Sequence, residues 1–291
     1  MVLATLPADG SRLYEAQYRG MRWLQARGFE PVLLPLVVPG GGDEGKGFRF
    51  LDSDGRVWAV RSDFTPLLAR VVAADPEPRW PLRVCYAGEV ARRGGPQLRG
   101  VGEFYQLGFE SFGVRGEADT TVELLLNLGR VLGLELSQLV LTVGHTGVGE
   151  DMLCMLLEET PDPALVEMLA AKDVDGLCEL VGLSEEAATY LRQAVLEEGE
   201  GWVRFFRQEE VWVRVQGAAS VARKKGVRVH FELVPRTAAG YYRGVVFSLW
   251  GRKAKALLAS GGEYAVEGKG QEVPAVGATL SLDRVLMEAT C

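Results

Sequence analysis

Histidine is almost missing from this chain. Only His145 and His230 occur among 291 residues, and the four cysteines, Cys85, Cys154, Cys178 and Cys291, are scattered with no close pair. So few nitrogen and sulfur ligands, none of them clustered, argue against a zinc site, and no metal is expected. Isolated cysteines suggest buried thiols in a reducing cytosol rather than a disulfide framework. No run approaches the roughly 18 consecutive apolar residues of a membrane span. The first ten residues lack the basic start of a secretory signal, so a cytoplasmic, non-membrane protein is expected. An excess of basic charge is missing too: 32 Lys and Arg stand against 39 Asp and Glu, a net −7. Residues 150–210 hold sixteen acidic and four basic side chains, a local −12, so the remainder of the chain carries +5. That segment would repel a phosphate backbone, and no nucleic-acid partner is expected. Its plain explanation is a solvated helical face. What is present in quantity is apolar: 47% of residues, with a mean hydropathy near zero. This suits one large domain or two small ones, each with its own core.

The pattern along the chain alternates strands in runs with helices set apart. Leu13, Ala16, Gly20, Trp23 and Leu24 recur at helical spacing, with Ser11 near the expected N-cap and Gly28 as a stop. Pro31–Pro39 is an apolar run broken by prolines, suited to an edge or an interface. Phe48–Leu51 and Arg56–Arg61 flank Asp52–Gly55, a hairpin turn. Thr65 and Pro66 open a helix as N-cap and first residue, ending before Asp75. Long strands follow near 82–92 and 103–112, then a helix near 118–132 and a strand over Leu139–His145. From Gly147 to Lys225 only helical patterns occur. Strand signals return at Val227–Val234, Tyr241–Trp250 and Pro274–Gly277, and a helix closes the chain over Ser281–Ala289. Strand runs with segregated helices argue α+β with a largely antiparallel sheet.

The most informative stretch is Glu103–Gly113. Its alternation puts Tyr105, Leu107 and Phe109 on one side as core, and Gln106, Gly108 and Glu110 on the other, between apolar Phe104 and Phe112. An amide and a carboxylate separated by an empty glycine make a face that holds a small polar ligand. Two further strands repeat the device. Val84, Tyr86, Gly88, Val90 and Arg92 share a side, as do Tyr242, Gly244, Val246 and Ser248. A single such strand has a dull explanation in a bulge or a solvated face. Three together point to a concave ligand site on the sheet. The loop Gly40–Gly47 nearly fits GxxxxGK[ST], but Gly47 stands where the magnesium-binding hydroxyl belongs and no helix follows, so it reads as a glycine loop with the makings of a lid.

The order of Val60–Pro66, Cys85–Arg92, Phe104–Gly113, Leu233–Phe247, Gly261–Tyr264, Pro274–Gly277 and Leu282–Arg284 resembles the catalytic core of histidyl-tRNA synthetase. It is more similar still to the non-synthetase branch of that family, the regulatory subunits of ATP phosphoribosyltransferase. The resemblance spans about residues 10–290. It implies a class II synthetase fold, α+β with a six-stranded antiparallel sheet, formed by 1–146 and 226–291 and interrupted by an acidic helical insertion at 147–225. It further implies that Asp63, Thr65, Gln106, Glu110, Tyr242 and Tyr264 hold free histidine, and that Arg92 and Arg284 face an anion or phosphate in a vestigial capacity. Chemically, Asp63 and Gln106 suit a ligand ammonium, while Glu110 and a tyrosine hydroxyl suit an imidazole N–H.

Departures from the synthetase pattern argue against adenylation. Arg92 is followed by Arg93 and Gly94, without the expected glutamate. Thr237, beside Arg236, stands where the synthetase has its histidine-specific arginine. Gly240 replaces an aspartate, and the usual Gly-Gly-Arg-Tyr-Asp reads Gly261 to Ala265 with Glu263 in the arginine's place. Stabilising the charge on the α-phosphate needs preorganised cations. Position 291 falls about where a class II core closes, so an anticodon-reading domain is not expected. The resemblance therefore implies a non-catalytic regulatory subunit without cofactor, partnered with a separate ATP phosphoribosyltransferase catalytic chain, with histidine as effector. Class II cores pair through their first signature, here the N-terminal helix and Pro31–Pro39, so a homodimer inside a hetero-oligomer is expected. The alternatives are a truncated enzyme that makes histidyl-adenylate and a stand-alone histidine sensor.

Overall fold

A computed structural model of the chain describes residues 7–40, 47–75, 77, 79–92, 102–196, 209–232, 234–235, 241–268 and 271–290. Arg93, Gly94, Arg236, Thr237, Gly240 and residues 41–46 of the glycine loop lie outside them.

The chain begins with α1 (Pro7–Gln25), whose buried Ala16 and Leu24 lie on the expected stripe. It starts before Ser11, so that serine sits inside the helix and does not cap it. Gly28 takes φ 83° just after the last turn, the left-handed conformation glycine adopts cheaply at a helix stop. The proline-broken run divides into β1 (Glu30–Pro31) and β2 (Val37–Pro39). β2, β3 (Arg49–Leu51) and β4 (Val57–Val60) form a small sheet in the order β2-β4-β3. The β3–β4 turn is held by Asp52, which accepts backbone N–H bonds from Asp54 and Arg56 and the Trp58 indole N–H.

α2 is Thr65–Ala74. β5 (Leu82–Ala91) and β6 (Glu103–Phe112) are the two long strands, followed by α3 (Ala118–Val131) and β7 (Leu139–His145). Five helices come next among the described residues: α4 (Val148–Leu157), α5 (Pro163–Ala170), α6 (Val174–Val181), α7 (Glu185–Leu196) and α8 (Glu209–Lys224). The chain closes with β8 (Arg228–Phe231), β9 (Tyr242–Gly251), β10 (Ala256–Gly268), β11 (Gln271–Ser281) and α9 (Leu282–Thr290).

The main sheet has eight strands in the order β1-β5-β6-β11-β10-β9-β7-β8. The inner six are antiparallel throughout, and short parallel strands β1 and β8 flank them. The expected six-stranded sheet is thus the inner part of a larger one. β8 falls within the strand expected over Val227–Val234, whereas β1, two residues long, carries too little alternation to register in the sequence. β10 was not expected either, because Gly261 and Gly262 interrupt its pattern. A Cβ on Gly261 would collide with the Gly277 carbonyl and the Phe247 ring, so the glycine permits close strand approach.

α1, α3, α8 and α9 cover one face, burying Leu107, Phe109, Leu125, Leu126, Leu249 and Val285 in the main core. α8 lies within the span expected as insertion, yet it packs on α3 and β7. The opposite face is lined by a smaller cluster that includes Phe64, Leu68, Tyr86, Phe112 and Tyr264, under α2.

Candidate functional site

The second face carries the polar groups because register aligns them. Along β5, β6 and β11, Gly88 pairs with Gln106 and Gln106 with Ser281. The next row is Tyr86, Gly108, Thr279, and the next is Val84, Glu110, Gly277. One row further, Phe112 pairs with Ala275, Ala275 with Tyr264 and Tyr264 with Tyr242. Glycines make the room. A Cβ on Gly108 would run into the Tyr86 phenol, and one on Gly277 would collide with the Glu110 carboxylate.

Glu110 sits at the centre and is 2% exposed. Its Oε1 accepts from the Thr65 hydroxyl at 2.7 Å and the Tyr86 hydroxyl at 3.1 Å. Its Oε2 accepts from the Tyr264 hydroxyl at 3.0 Å. Tyr86 spends its proton on Glu110, so Thr279, 2.7 Å away, donates to Tyr86 in turn. A carboxylate offers about four acceptor sites, and three are occupied. Burial nevertheless dominates and pushes Glu110 up from 4.5 to about 7. The three hydroxyls counter that rise, and the charge of Asp63 adds to it. Burial, then the negative charge of Glu110, also raises the Tyr86, Tyr242 and Tyr264 phenols, so they stay protonated donors.

Thr65 is the first residue of α2, and Phe64 occupies the cap without a side-chain bond. The expected threonine cap is therefore corrected: the hydroxyl reaches across to Glu110. Phe64 stacks on Tyr86 with ring centroids 4.4 Å apart, and the buried Arg61 guanidinium lies 3.8 Å from the Phe64 centroid. Arg61 donates to the carbonyls of Leu34, Pro35 and Glu89, which fixes the start of α2 over the sheet.

Asp63 is joined to Arg92 at 2.7 Å through Oδ2, and its Oδ1 accepts the Phe64 N–H. Arg92 also donates to the Ser62 carbonyl and lies over Phe104. Arg284 donates to the Leu257 carbonyl, and its guanidinium is lowered by burial and then by the nearby charge of Arg92. Gln106 is 4% exposed, and among the described residues its Oε1 has no hydrogen-bond partner; the same holds for Oγ of Ser281, the residue opposite. The structure therefore joins Thr65, Glu110 and Tyr264 directly and Asp63 to Arg92. It sets Tyr242 beside Tyr264 and leaves Gln106 with an open acceptor. Tyr86, Thr279 and Ser281 were not among the expected site residues. Gly108 was the legible signal for Tyr86, since it empties the space the phenol fills.

One alternation does not carry through. β9 and β10 pair as Gly262 to Val246 and then as Tyr264 to Tyr242, so the register slips. A Cβ on Gly244 would meet Glu263, not the face shared by Tyr242.

A family model described as histidyl-tRNA synthetase matches residues 3–285. An ATP phosphoribosyltransferase regulatory subunit from Burkholderia cenocepacia (strain HI2424) is 30% identical over 305 residues, covering 95% of this chain and 78% of the relative. The chain belongs to the histidyl-tRNA synthetase family, among the ATP phosphoribosyltransferase regulatory subunits. A regulatory subunit from Azoarcus sp. (strain BH72) is 29% identical over 298 residues, 95% of this chain and 77% of that one. Solved structures place this family member's fold. An ATP phosphoribosyltransferase regulatory subunit/histidyl-tRNA synthetase from Bacillus halodurans C superposes with TM-score 0.83 at 22% identity, covering 98% of this chain and 81% of that one. A chain of the ATP phosphoribosyl transferase (HisG:HisZ) complex from Thermotoga maritima gives 0.71 at 23%, covering 93% and 97%. The fold is that of a class II synthetase core.

Proposed function

We propose that the chain is the regulatory subunit of an ATP phosphoribosyltransferase, acting in the cytoplasm at the first step of histidine biosynthesis and supporting a separate catalytic chain while conferring feedback by histidine. Family membership supports the partner, and the buried carboxylate supports the effector. Glu110 keeps one acceptor site for an imidazole N–H, in reach of tyrosine and threonine hydroxyls. Gln106 Oε1 and the Asp63 carboxylate suit the ammonium group, a charged hydrogen bond being worth about 1.5–3 kcal/mol.

The chain itself does not adenylate histidine in this reading. Arg92 is engaged by Asp63 and Ser62, and Glu263, in the place of a synthetase arginine, pairs with Arg214. A homodimer is supported by the apolar surface near Pro31–Pro39, where Leu33 is 97% exposed and Val37, Phe50, Leu51 and Val57 are exposed as well. Feedback requires that histidine bind one state of the assembly better than another.

The test adds the purified chain to a short phosphoribosyltransferase that is inactive alone, with and without histidine. The expected result is activity that appears on mixing and falls with histidine. No gain on mixing refutes the partnership, and robust pyrophosphate exchange by the chain alone with histidine and ATP refutes the non-catalytic role.

A further inference from the structure

Among the described residues, one ion pair joins the helical segment to the pocket strands, and it sits at the register slip beside Tyr242 and Tyr264. Between Gly262 and Tyr264, β10 advances two residues while β9 advances four, from Val246 to Tyr242. Arg243, Gly244 and Val245 therefore face Glu263 alone, and their backbone groups lose regular ladder partners. Glu263 replaces one of them: its Oε2 accepts the Val245 N–H at 2.7 Å. Gly244 takes φ 117°, and a Cβ there would collide with the Glu263 carboxylate, so the slip is shaped to admit that group.

Glu263 is buried, and a buried carboxylate needs a partner. Arg214 of α8 supplies it through Nη2 to Oε1. The other root of the helical segment grips the middle of these three residues, Gly244. Thr146, just before α4, accepts the Gly244 N–H on Oγ1 at 2.9 Å and donates its own N–H to the Gly244 carbonyl at 3.0 Å. His145 beside it is held neutral, lowered to about 4 by burial and then by the charge of Arg214. On the other side of the slip stand the two tyrosines. Tyr264 directly follows Glu263 and points the opposite way, to Glu110. Tyr242 closes the irregularity on β9.

We propose that Arg214 and Glu263 are positioning residues of the amino-acid pocket, through which displacement of the helical segment re-aims Tyr242 and Tyr264 and changes affinity for the ligand. The proposal rests on the histidine reading of the pocket. A slip held by one charge pair and three hydrogen bonds has more freedom than a continuous ladder, and a bulge redirects the side chains on either side of it. A partner chain seated on α4–α8 thereby acquires a route to the pocket that needs no contact with the ligand.

Histidine affinity of the full chain is measured by calorimetry at a temperature where circular dichroism shows every variant folded. Hydrogen exchange of 242–246 and 262–265 is measured in parallel without ligand. Arg214→Gln is expected to weaken histidine binding about tenfold and to speed exchange in both segments. Adding Glu263→Gln to it, which keeps an acceptor for the Val245 N–H and removes the unpaired charge, is expected to recover most of the affinity. A merely stabilising pair would lower the melting temperature and leave the affinity of the folded chain unchanged. Arg214→Lys serves if Arg214→Gln does not fold, with a smaller loss expected. Affinity within twofold of the parent in the folded single variant overturns the proposal. If the parent itself binds no histidine, the pocket reading falls; the positioning role is then decided by exchange alone, and unchanged protection of the two segments overturns it.

Discussion

Replacing Glu110 by glutamine should flatten part of the dependence of stability on pH. In the folded chain burial raises this carboxyl from 4.5 to about 7, with Thr65, Tyr86 and Tyr264 donating to it and Asp63 adding repulsion. The sign follows from which state holds the proton. Below about 4.5 folded and unfolded chains are both protonated, and Glu110 exacts no penalty. Between 4.5 and 7 the unfolded chain has released its proton and the folded chain has not, so stability falls as pH rises, at about 1.4 kcal/mol per pH unit. Above 7 both are ionised and the loss levels off near 3 kcal/mol. Between pH 5 and pH 8 the parent should therefore lose about 2.5 kcal/mol relative to Glu110→Gln, in which nothing titrates. At about 2 °C per kcal/mol for a chain of this size, that is about 5 °C in melting temperature. Thermal unfolding of both proteins at matched concentration across this range gives the difference directly. The glutamine also forfeits an acceptor for the three hydroxyls, a constant offset that moves one curve without tilting it. Two parallel curves would refute the idea that this carboxylate is ionised against its surroundings.

Other perturbations separate pocket from scaffold. Gly277→Ala drives a methyl group into the Glu110 carboxylate across a central strand, and urea unfolding should show a loss of about 2 kcal/mol together with lost histidine binding; a neutral result would mean the carboxylate has room to move aside. Asp63→Asn breaks a partly exposed pair with Arg92, so stability should change by less than about 1 kcal/mol. Calorimetry should nevertheless show histidine affinity falling about tenfold, the scale of one charged hydrogen bond; equal affinity would remove Asp63 from the ammonium subsite. Leu51→Glu places a charge on the exposed β2-β4-β3 surface, and light scattering should report a shift from dimer to monomer with little change in folding. A dimer of unchanged mass would place the contact elsewhere.

What the sequence disclosed follows from the range of each interaction. β5, β6, β7, β9 and α3 were readable because alternation and helical spacing are local, and Gln106, Gly108 and Glu110 fell on one face for the same reason. The role of Thr65 was not: its position before Pro66 signals a cap, whereas its hydroxyl serves a carboxylate 45 residues away. β10 hid behind glycines whose purpose is contact with β11 and Phe247. Thr279 and Ser281 belong to the face only through the β6–β11 register, which local pattern does not fix. The Arg214–Glu263 pair depends on a register slip and on a helix packed from a distant segment, and neither leaves a trace in spacing.

Parallel pairing of β7 with β8 limits how the helices between them are detached. Val140 lies beside Arg228 and Val143 beside Phe231, so the chain leaves β7 at one end of the pair and must re-enter at the other. Such a return needs a dozen or more residues, and α8, sixteen residues long and packed along β7, provides it. The crossover makes α8 a strut the architecture must keep, and the arginine it carries stays with it, whereas the helices of Val148–Leu196 are tied in by packing alone, through Met152, Leu153, Leu169 and Leu177 in the main core.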